Sequence, residues 1–281
     1  MKKVIIIPNS TKDKGLSVTY EIEQKLASLG IEAFIDAEYS EELGTVPYSG
    51  VPDDAQLIIV VGGDGSVIDA SGLAVSLDIP ILGVNLGRVG YLTEVERDSL
   101  EVLSRLVKGE YHIEERMLLS VEKISENGEA LSCPRLAVND AVISHENYFG
   151  ISDLRVENEK GDAIRYRADG VIVSTPLGST AYALSAGGPV IAHSLDSLTV
   201  TPVCPHSLFN RSIIFDPEET VKVHNSKEAP LNISVDGRLF TELYRGELCR
   251  IKRSEKRLKV LSFDKNNMFS TLFKKIKDME E

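Results

Sequence analysis

Cysteines, basic residues and long apolar runs are all in short supply in this 281-residue chain. The three cysteines, Cys133, Cys204 and Cys249, are odd in number and far apart, without the C-x-x-C spacing of zinc or redox sites. They fit a reducing compartment, and a cytoplasmic location is expected. Lys and Arg number 31 against 43 Asp and Glu, a formal net charge of −12. A nucleic-acid surface needs clustered positive charge, so no nucleic-acid partner is expected and any anionic substrate must be held by a local site. No apolar run approaches the roughly 20 residues of a membrane span, and Met1-Lys2-Lys3 leads into a short strand rather than a signal-peptide core, so neither membrane nor export is expected. The five histidines, His112, His145, His193, His206 and His224, lack the paired spacing of a helical metal site. Internal repeats and low-complexity linkers are missing too. What is present is a 42% hydrophobic content, enough for a folded protein, and a length that accommodates two domains.

The most informative segment is Gly62-Gly63-Asp64-Gly65-Ser66, which follows the apolar run Leu57 to Val61 and precedes the helix-compatible stretch Val67 to Leu77. Strand, glycine turn and helix together describe a phosphate cradle, because the backbone can approach a ligand and the helix N-terminus offers unpaired N–H groups. Asp64 would repel phosphate unless it binds a metal, accepts a proton or holds a substrate hydroxyl, which points to phosphoryl transfer. The alternative is a plain Asp-Gly turn.

Val4 to Ile7 reads as a strand, and Val18, Ile22, Leu26 and Leu29 recur at helical spacing up to Gly30. Apolar runs at Ile31 to Ile35, Leu57 to Val61 and Ile79 to Val84 continue the grammar of a parallel sheet covered by helices, with a further helix over Asp98 to Lys108. After Glu110 the period changes to two, as in Leu119/Val121, Leu154/Val156 and Ile164/Tyr166. Later strands are expected at Ser212 to Phe215, Val221 to His224, Leu231 to Val235, Leu248 to Ile251 and Leu258 to Phe263, with an Asp236-Gly237 turn among them. The expected fold is an α/β N-terminal domain with a parallel sheet (1–112), a β-rich, β-sandwich-like C-terminal domain (113–263), and a C-terminal helix (264–281) packing back on the first. Phe269, Leu272, Phe273 and Ile276 define that helix's apolar face.

Two further constellations carry polar chemistry. Asn139 and Asp140 interrupt the apolar run Ala137 to Ile143, where they could bind a ligand's hydroxyls or a base edge, or form an Asx turn or bulge. Arg165 to Gly170 runs through Val171-Ile172-Val173 into the small, hydroxyl-rich segment Ser174 to Pro189. There a flat ligand could approach the backbone while Arg167 and Asp169 read phosphate, ribose or amide groups, or the segment could be a packing corner. No G-x-S-x-G elbow surrounds Ser179 or Ser174. The basic run Lys252, Arg253, Lys256, Arg257 and Lys259 reads as a solvated edge.

Taken together, Val61 to Ser66, Asn85 to Glu94, Asn139-Asp140 and Tyr166 to Pro189 resemble the NAD kinase family of bacterial type, with Thr201 to Leu208 and Ser234 to Gly237 also alike. The resemblance implies phosphorylation of the adenosine-ribose 2′-hydroxyl of NAD to give NADP, with ATP or inorganic polyphosphate as donor and a divalent metal such as Mg2+. It implies that Gly62, Gly63, Gly65 and Ser66 line the donor site and that Asp64 binds the acceptor hydroxyl and takes its proton. Asn139 and Asp140 would hold the ribose or adenine side. Arg167, Asp169, Thr180, Ala181, Tyr182, Ala183, Leu184 and Ser185 would complete the NAD pocket, with Gly65, Tyr91 and Asp236 beside it, in a homodimer or homotetramer. Ser66, Leu177 and Arg238 depart from the family's usual threonine, small polar residue and glutamine. A catalytically silent NAD(P)-binding regulator, a phosphofructokinase-like enzyme and a lipid kinase are the alternatives.

Overall fold

The computed structural model describes residues 1–35, 52, 54–87, 90–145, 151–264 and 268–280. Contacts divide the chain into two compact units, Met1–Glu115 with Leu258–Glu281, and Arg116–Arg257.

In the first unit, β-branched runs form strands β1 (Lys3–Pro8), β2 (Glu32–Ile35), β3 (Ile58–Gly62), β4 (Ile81–Asn85) and β5 (Thr93–Glu96). All pair in parallel, Ile5 with Phe34 and Ile58, Ile59 with Leu82, and Gly83 with Thr93. β3 and β4 are buried along their whole length, which explains their unbroken apolar sequence. Helix Ser17–Ser28 turns Val18, Ile22 and Leu26 into the core, and the buried Asp13 secures its start by accepting from Val18 N (3.1 Å), Thr19 N (2.8 Å) and Thr19 Oγ1 (2.7 Å). Helix Asp64–Leu77 follows β3 directly. The helix expected over Asp98 to Lys108 is instead a 3₁₀ stretch, Arg97–Ser104, and a single α turn, Arg105–Lys108, because Ser99 leaves helical geometry (φ −121°, ψ 24°).

The strand pairings within the second unit are antiparallel. Its strands are β6 (His112–Ile124), β7 (Arg135–Ala137), β8 (Asp140–His145), β9 (Ser152–Glu157), β10 (Ala163–Ala168), β11 (Gly170–Ser174), β12 (Leu198–Val203), β13 (Ile213–Phe215), β14 (Val221–Asn225), β15 (Leu231–Val235), β16 (Arg238–Leu243) and β17 (Leu248–Ser262). One six-stranded sheet has the order β13-β12-β11-β8-β15-β16. Inward residues of that sheet, such as Ile143, Val171 and Ile233, share one buried cluster with Leu119, Val156, Tyr166, Val223 and Ile251 of other strands. This is the sandwich arrangement, with alternating burial in β9, β14 and β15 as its signature. An α/β domain with a parallel sheet and an antiparallel β-rich domain are thus both present.

Further sequence expectations change. Leu248 to Ile251 and the Leu258 to Phe263 segment up to Ser262 are parts of a single strand, β17, whose exposed middle hid its continuity. Asp236-Gly237 joins β15 to β16, a strand the pattern missed. The basic run is no bare solvated edge, since Arg253 and Arg257 both bond Asp196, and Lys259 meets Asp78 at 2.7 Å. In the terminal helix, Met268–Glu280, Phe273 is 66% exposed rather than packed, and the side chains of Phe269 and Ile276 lie outside the described residues. No helix among the described residues is long and apolar enough to cross a membrane.

Candidate active site

Parallel strands present their following loops at one edge, and the register Pro8 with Val61 and Gly62 with Asn85 brings three such loops together in the first unit. The loop after β1 begins with Asn9. Its side-chain oxygen accepts from Thr11 N (3.2 Å) and Lys12 N (3.3 Å), while its amide donates to Ser66 Oγ at 2.7 Å. Asn9 therefore ties this loop to the glycine turn. Lys12 is carried over that turn, so that a methyl group built on Gly63 would lie 2.7 Å from its Nζ. Lys12 thus brings a positive charge to the turn. No local signal marks it, because it stands 51 residues before Gly63.

Gly63 caps the helix that starts at Asp64, its carbonyl accepting from Ser66 N (2.9 Å) and Val67 N (3.2 Å). Asp64 Oδ2 accepts from Tyr91 N at 2.9 Å and Oδ1 from Leu92 N at 3.0 Å. The carboxylate is thus oriented by main-chain groups that cannot rotate away. Gly90 makes this seat possible, because a Cβ there would fall 2.0 Å from Asp64 Oδ1. In the third loop, the buried Asn85 accepts from Gly87 N (3.1 Å) and donates to Glu96 (3.1 Å), fixing the turn after β4. Arg88 and Val89, part of the Asn85 to Glu94 motif, lie outside the described residues.

The second unit gathers its polar residues by the same topological means. β8 begins at Asp140, β11 ends opposite it at Ser174, and β15 ends with Val235 opposite Ala141. The loops after β11 and β15 therefore meet the segment before β8. Asp236 receives backbone N–H groups from Val138 (2.8 Å), Asn139 (2.7 Å) and Asp140 (3.1 Å). Thr175 N donates to the Asn139 carbonyl at 2.8 Å, and Thr175 Oγ1 donates to Val138 O at 2.7 Å. Asn139 is held from both sides. Gly178 completes the clamp, since a Cβ there would sit 2.0 Å from Asn139 O. Asn139 thus interrupts the apolar run with its main chain held on both sides.

Burial dominates the electrostatics of this corner. It pushes the Asp140 carboxyl up to about 7, with Asp236 adding like charge. Asp236 is also raised by burial, opposed by its three backbone donors and by Arg135. The Asp169 carboxylate lies 3.7 Å from His145 Nε2, a pairing the sequence did not signal. Arg167 is exposed, and its carbonyl accepts from His206 N at 2.7 Å. After Thr180, whose Oγ1 donates to Leu177 O (2.9 Å), Ala181 breaks helical geometry. Tyr182, Leu184 and Ser185 are exposed there, and Ala183 is buried. Ser179 Oγ donates to Pro176 O (2.6 Å) and accepts from Ile191 N (3.0 Å), a structural hydroxyl in line with the missing nucleophile elbow.

Residues 4–111 match the ATP-NAD kinase N-terminal domain and residues 138–263 the ATP-NAD kinase C-terminal domain. An NAD kinase from Lachnoclostridium phytofermentans is 36% identical over 285 residues, covering 99% of this chain and all of the relative. The chain belongs to the NAD kinase family. Its class is that of phosphotransferases with an alcohol group as acceptor. An NAD kinase from Geobacter sulfurreducens is likewise 36% identical, covering 99% of each chain. Among solved structures, an Archaeoglobus fulgidus NAD kinase in complex with ATP superposes with a TM-score of 0.74 at 26% identity, covering 98% of this chain and 99% of that one. Yeast NADH kinase complexed with NADH shares the fold, with a TM-score of 0.85 at 21% identity over 97% of this chain and 86% of that one.

Proposed function

We propose that this family member transfers a phosphoryl group from ATP or inorganic polyphosphate to the 2′-hydroxyl of the adenosine ribose of NAD, with Asp64 as general base. The observation that carries the reading is the seat of Asp64, a carboxylate at the mouth of a phosphate-binding turn, oriented by Tyr91 N and Leu92 N. A secondary hydroxyl is a poor nucleophile at neutral pH, so a fixed carboxylate that orients it and accepts its proton does what the reaction most needs. Gly62, Gly63, Gly65 and Ser66 line the donor side. Asn139 and Asp140, with Arg167, Asp169, Tyr91 and the segment Thr180, Ala181, Tyr182, Ala183, Leu184 and Ser185, serve NAD. Asp236 acts on that ligand through the backbone it holds.

Among the described residues no group of three His, Cys, Asp or Glu is placed to hold a metal. This donor set fits a divalent ion such as Mg2+ carried by the donor phosphates and at most Asp64, which would neutralise charge on the transferring group. A cytoplasmic location is proposed on the three free thiols. A homodimer or homotetramer is proposed on the exposed apolar side chains Leu208, Ile214 and Leu239, and light scattering reads it directly.

The test is to incubate purified protein with NAD, magnesium and either ATP or polyphosphate, and to assay NADP with a dehydrogenase that accepts only NADP. Wild type is expected to produce NADP, and Asp64→Asn to lose about 100-fold or more in kcat while still binding NAD. Turnover of the variant within about threefold of wild type would remove Asp64 from the role. No NADP with either donor would favour a silent binding protein.

A further inference from the structure

Asp169 stands where the chain of the second unit changes sheets. It is the one residue between β10, which pairs with β9, and β11, which pairs with β8 and β12 in the six-stranded sheet. Its main chain is held from three directions. Asp169 N donates to Val203 O at 3.0 Å, while its carbonyl accepts from His145 N and from Ser152 Oγ, both at 3.4 Å. Gly170 beside it lets β11 lie close against β8, since a Cβ there would fall 2.7 Å from Ile143 O. With the backbone fixed in this way, only side-chain torsions decide where the Asp169 carboxylate points.

One imidazole flanks that carboxylate. His145, the last residue of β8, places Nε2 3.7 Å from Asp169 Oδ1, and its side chain is 19% exposed where that of Asp169 is 45% exposed. Both ring nitrogens of His145 are buried, and neither has a hydrogen-bond partner among the described residues. A buried polar group left unpaired is costly, and the Asp169 carboxylate is the acceptor within ion-pair reach. At 3.7 Å the contact is too long for a hydrogen bond, yet a small side-chain rotation makes one. Either form of the ring serves, because a neutral imidazole carries one N–H and the imidazolium two.

We propose that His145 is a positioning residue for NAD: its Nε2–H holds one oxygen of Asp169, so that the other faces the ligand and accepts from one of its N–H or O–H groups. The inference rests on the reading above that Asp169 serves NAD, and it adds the residue that aims the carboxylate. Aiming it before NAD arrives lowers the ordering cost of binding, so the effect falls on affinity rather than on turnover. Only the pairing of β8 with β11 brings the two residues together, which is why no local pattern marks His145.

The experiment measures the Kd of NAD by calorimetry, and KM for NAD and kcat in the NADP assay, for His145→Ala, His145→Gln, Asp169→Asn and the double variant His145→Ala/Asp169→Asn. His145→Ala is expected to raise Kd and KM for NAD about five- to tenfold, with kcat within about twofold of wild type. His145→Gln, whose amide nitrogen reaches where Nε2 does, is expected to recover most of that affinity. The double variant is expected to bind no more weakly than Asp169→Asn, because the imidazole acts only through the carboxylate. Wild-type affinity in His145→Ala or in Asp169→Asn overturns the inference, as do losses that multiply in the double variant. A His145→Ala protein with a lowered thermal midpoint and unchanged Kd marks a merely structural histidine and overturns it too. The calorimetric stoichiometry counts the folded fraction of each variant. NAD binding by wild type without NADP formation would instead defeat the kinase reading, and the binding measurements would still decide the role of His145.

Discussion

At the scale of single residues, the corner around Asn139 shows how a buried acid can be set near neutrality. Asp140 is 4% exposed, and its carboxyl is raised from its ordinary 3.8 to about 7. The folded state therefore keeps a proton that the unfolded chain has already released. Between about pH 4 and pH 7 stability falls as pH rises, and above pH 7 the penalty is fully present. Asp140→Asn removes the titration. The variant is expected to gain on wild type by on the order of 3 kcal/mol between pH 4 and pH 8, read from urea midpoints at the two pH values. An equal difference at both would show that Asp140 ionises normally. The polar pair Asn139-Asp140 was legible from sequence because it broke an apolar run. Asp236 as the acceptor of three N–H groups was not, since it lies 96 to 98 residues from its donors and only the end-to-end meeting of β8, β11 and β15 joins them.

At the scale of elements, the connection between β4 and β5 matters more than its irregular sequence suggests. It returns Tyr91 and Leu92 to the start of the Asp64–Leu77 helix, and Gly90 is its closest approach. Gly90→Ala keeps the Asp64 carboxylate yet forces a shift at the 2.0 Å contact with it. Turnover is expected to fall about 10- to 100-fold, with the thermal midpoint little changed, because small displacements of a reacting group are costly. Full activity in the NADP assay would show that Asp64 is positioned by other means. The parallel strands were legible because both faces of β3 and β4 are buried, which leaves an unbroken apolar run. The continuity of β17 and the existence of β16 were hidden. The middle of β17 is charged and exposed or half-buried, and β16 has no alternating burial, so the period-two signal fades in both.

At the scale of the whole molecule, the first unit is completed by the far end of the chain. Leu258, Val260, Leu261 and Phe263 are all buried, and Val260 pairs with Ile81 on β4. Burying such side chains contributes roughly 1.5 to 3 kcal/mol each, a sum comparable with the whole stability of an ordinary domain. A fragment ending at residue 115 is therefore expected to lack a cooperative thermal transition by circular dichroism. A sharp transition in that fragment would show that the first core stands without its last strand. The sequence suggested a return of the chain only through its terminal helix. The segment that completes the core lies ahead of that helix and includes the end of a 15-residue strand, from Leu258 on, whose earlier part to Arg257 belongs to the other unit.

That feature also sets a clock. The ribosome finishes residue 115 about 7 to 30 s before it reaches residue 263, at ordinary elongation rates. Through that interval the nascent first unit must wait with Ile81 unpaired toward its missing neighbour, while residues 116–257 acquire everything their own unit requires. Synthesis order and order of completion are inverted, and the glycine turn, though made early, rests on a sheet finished last.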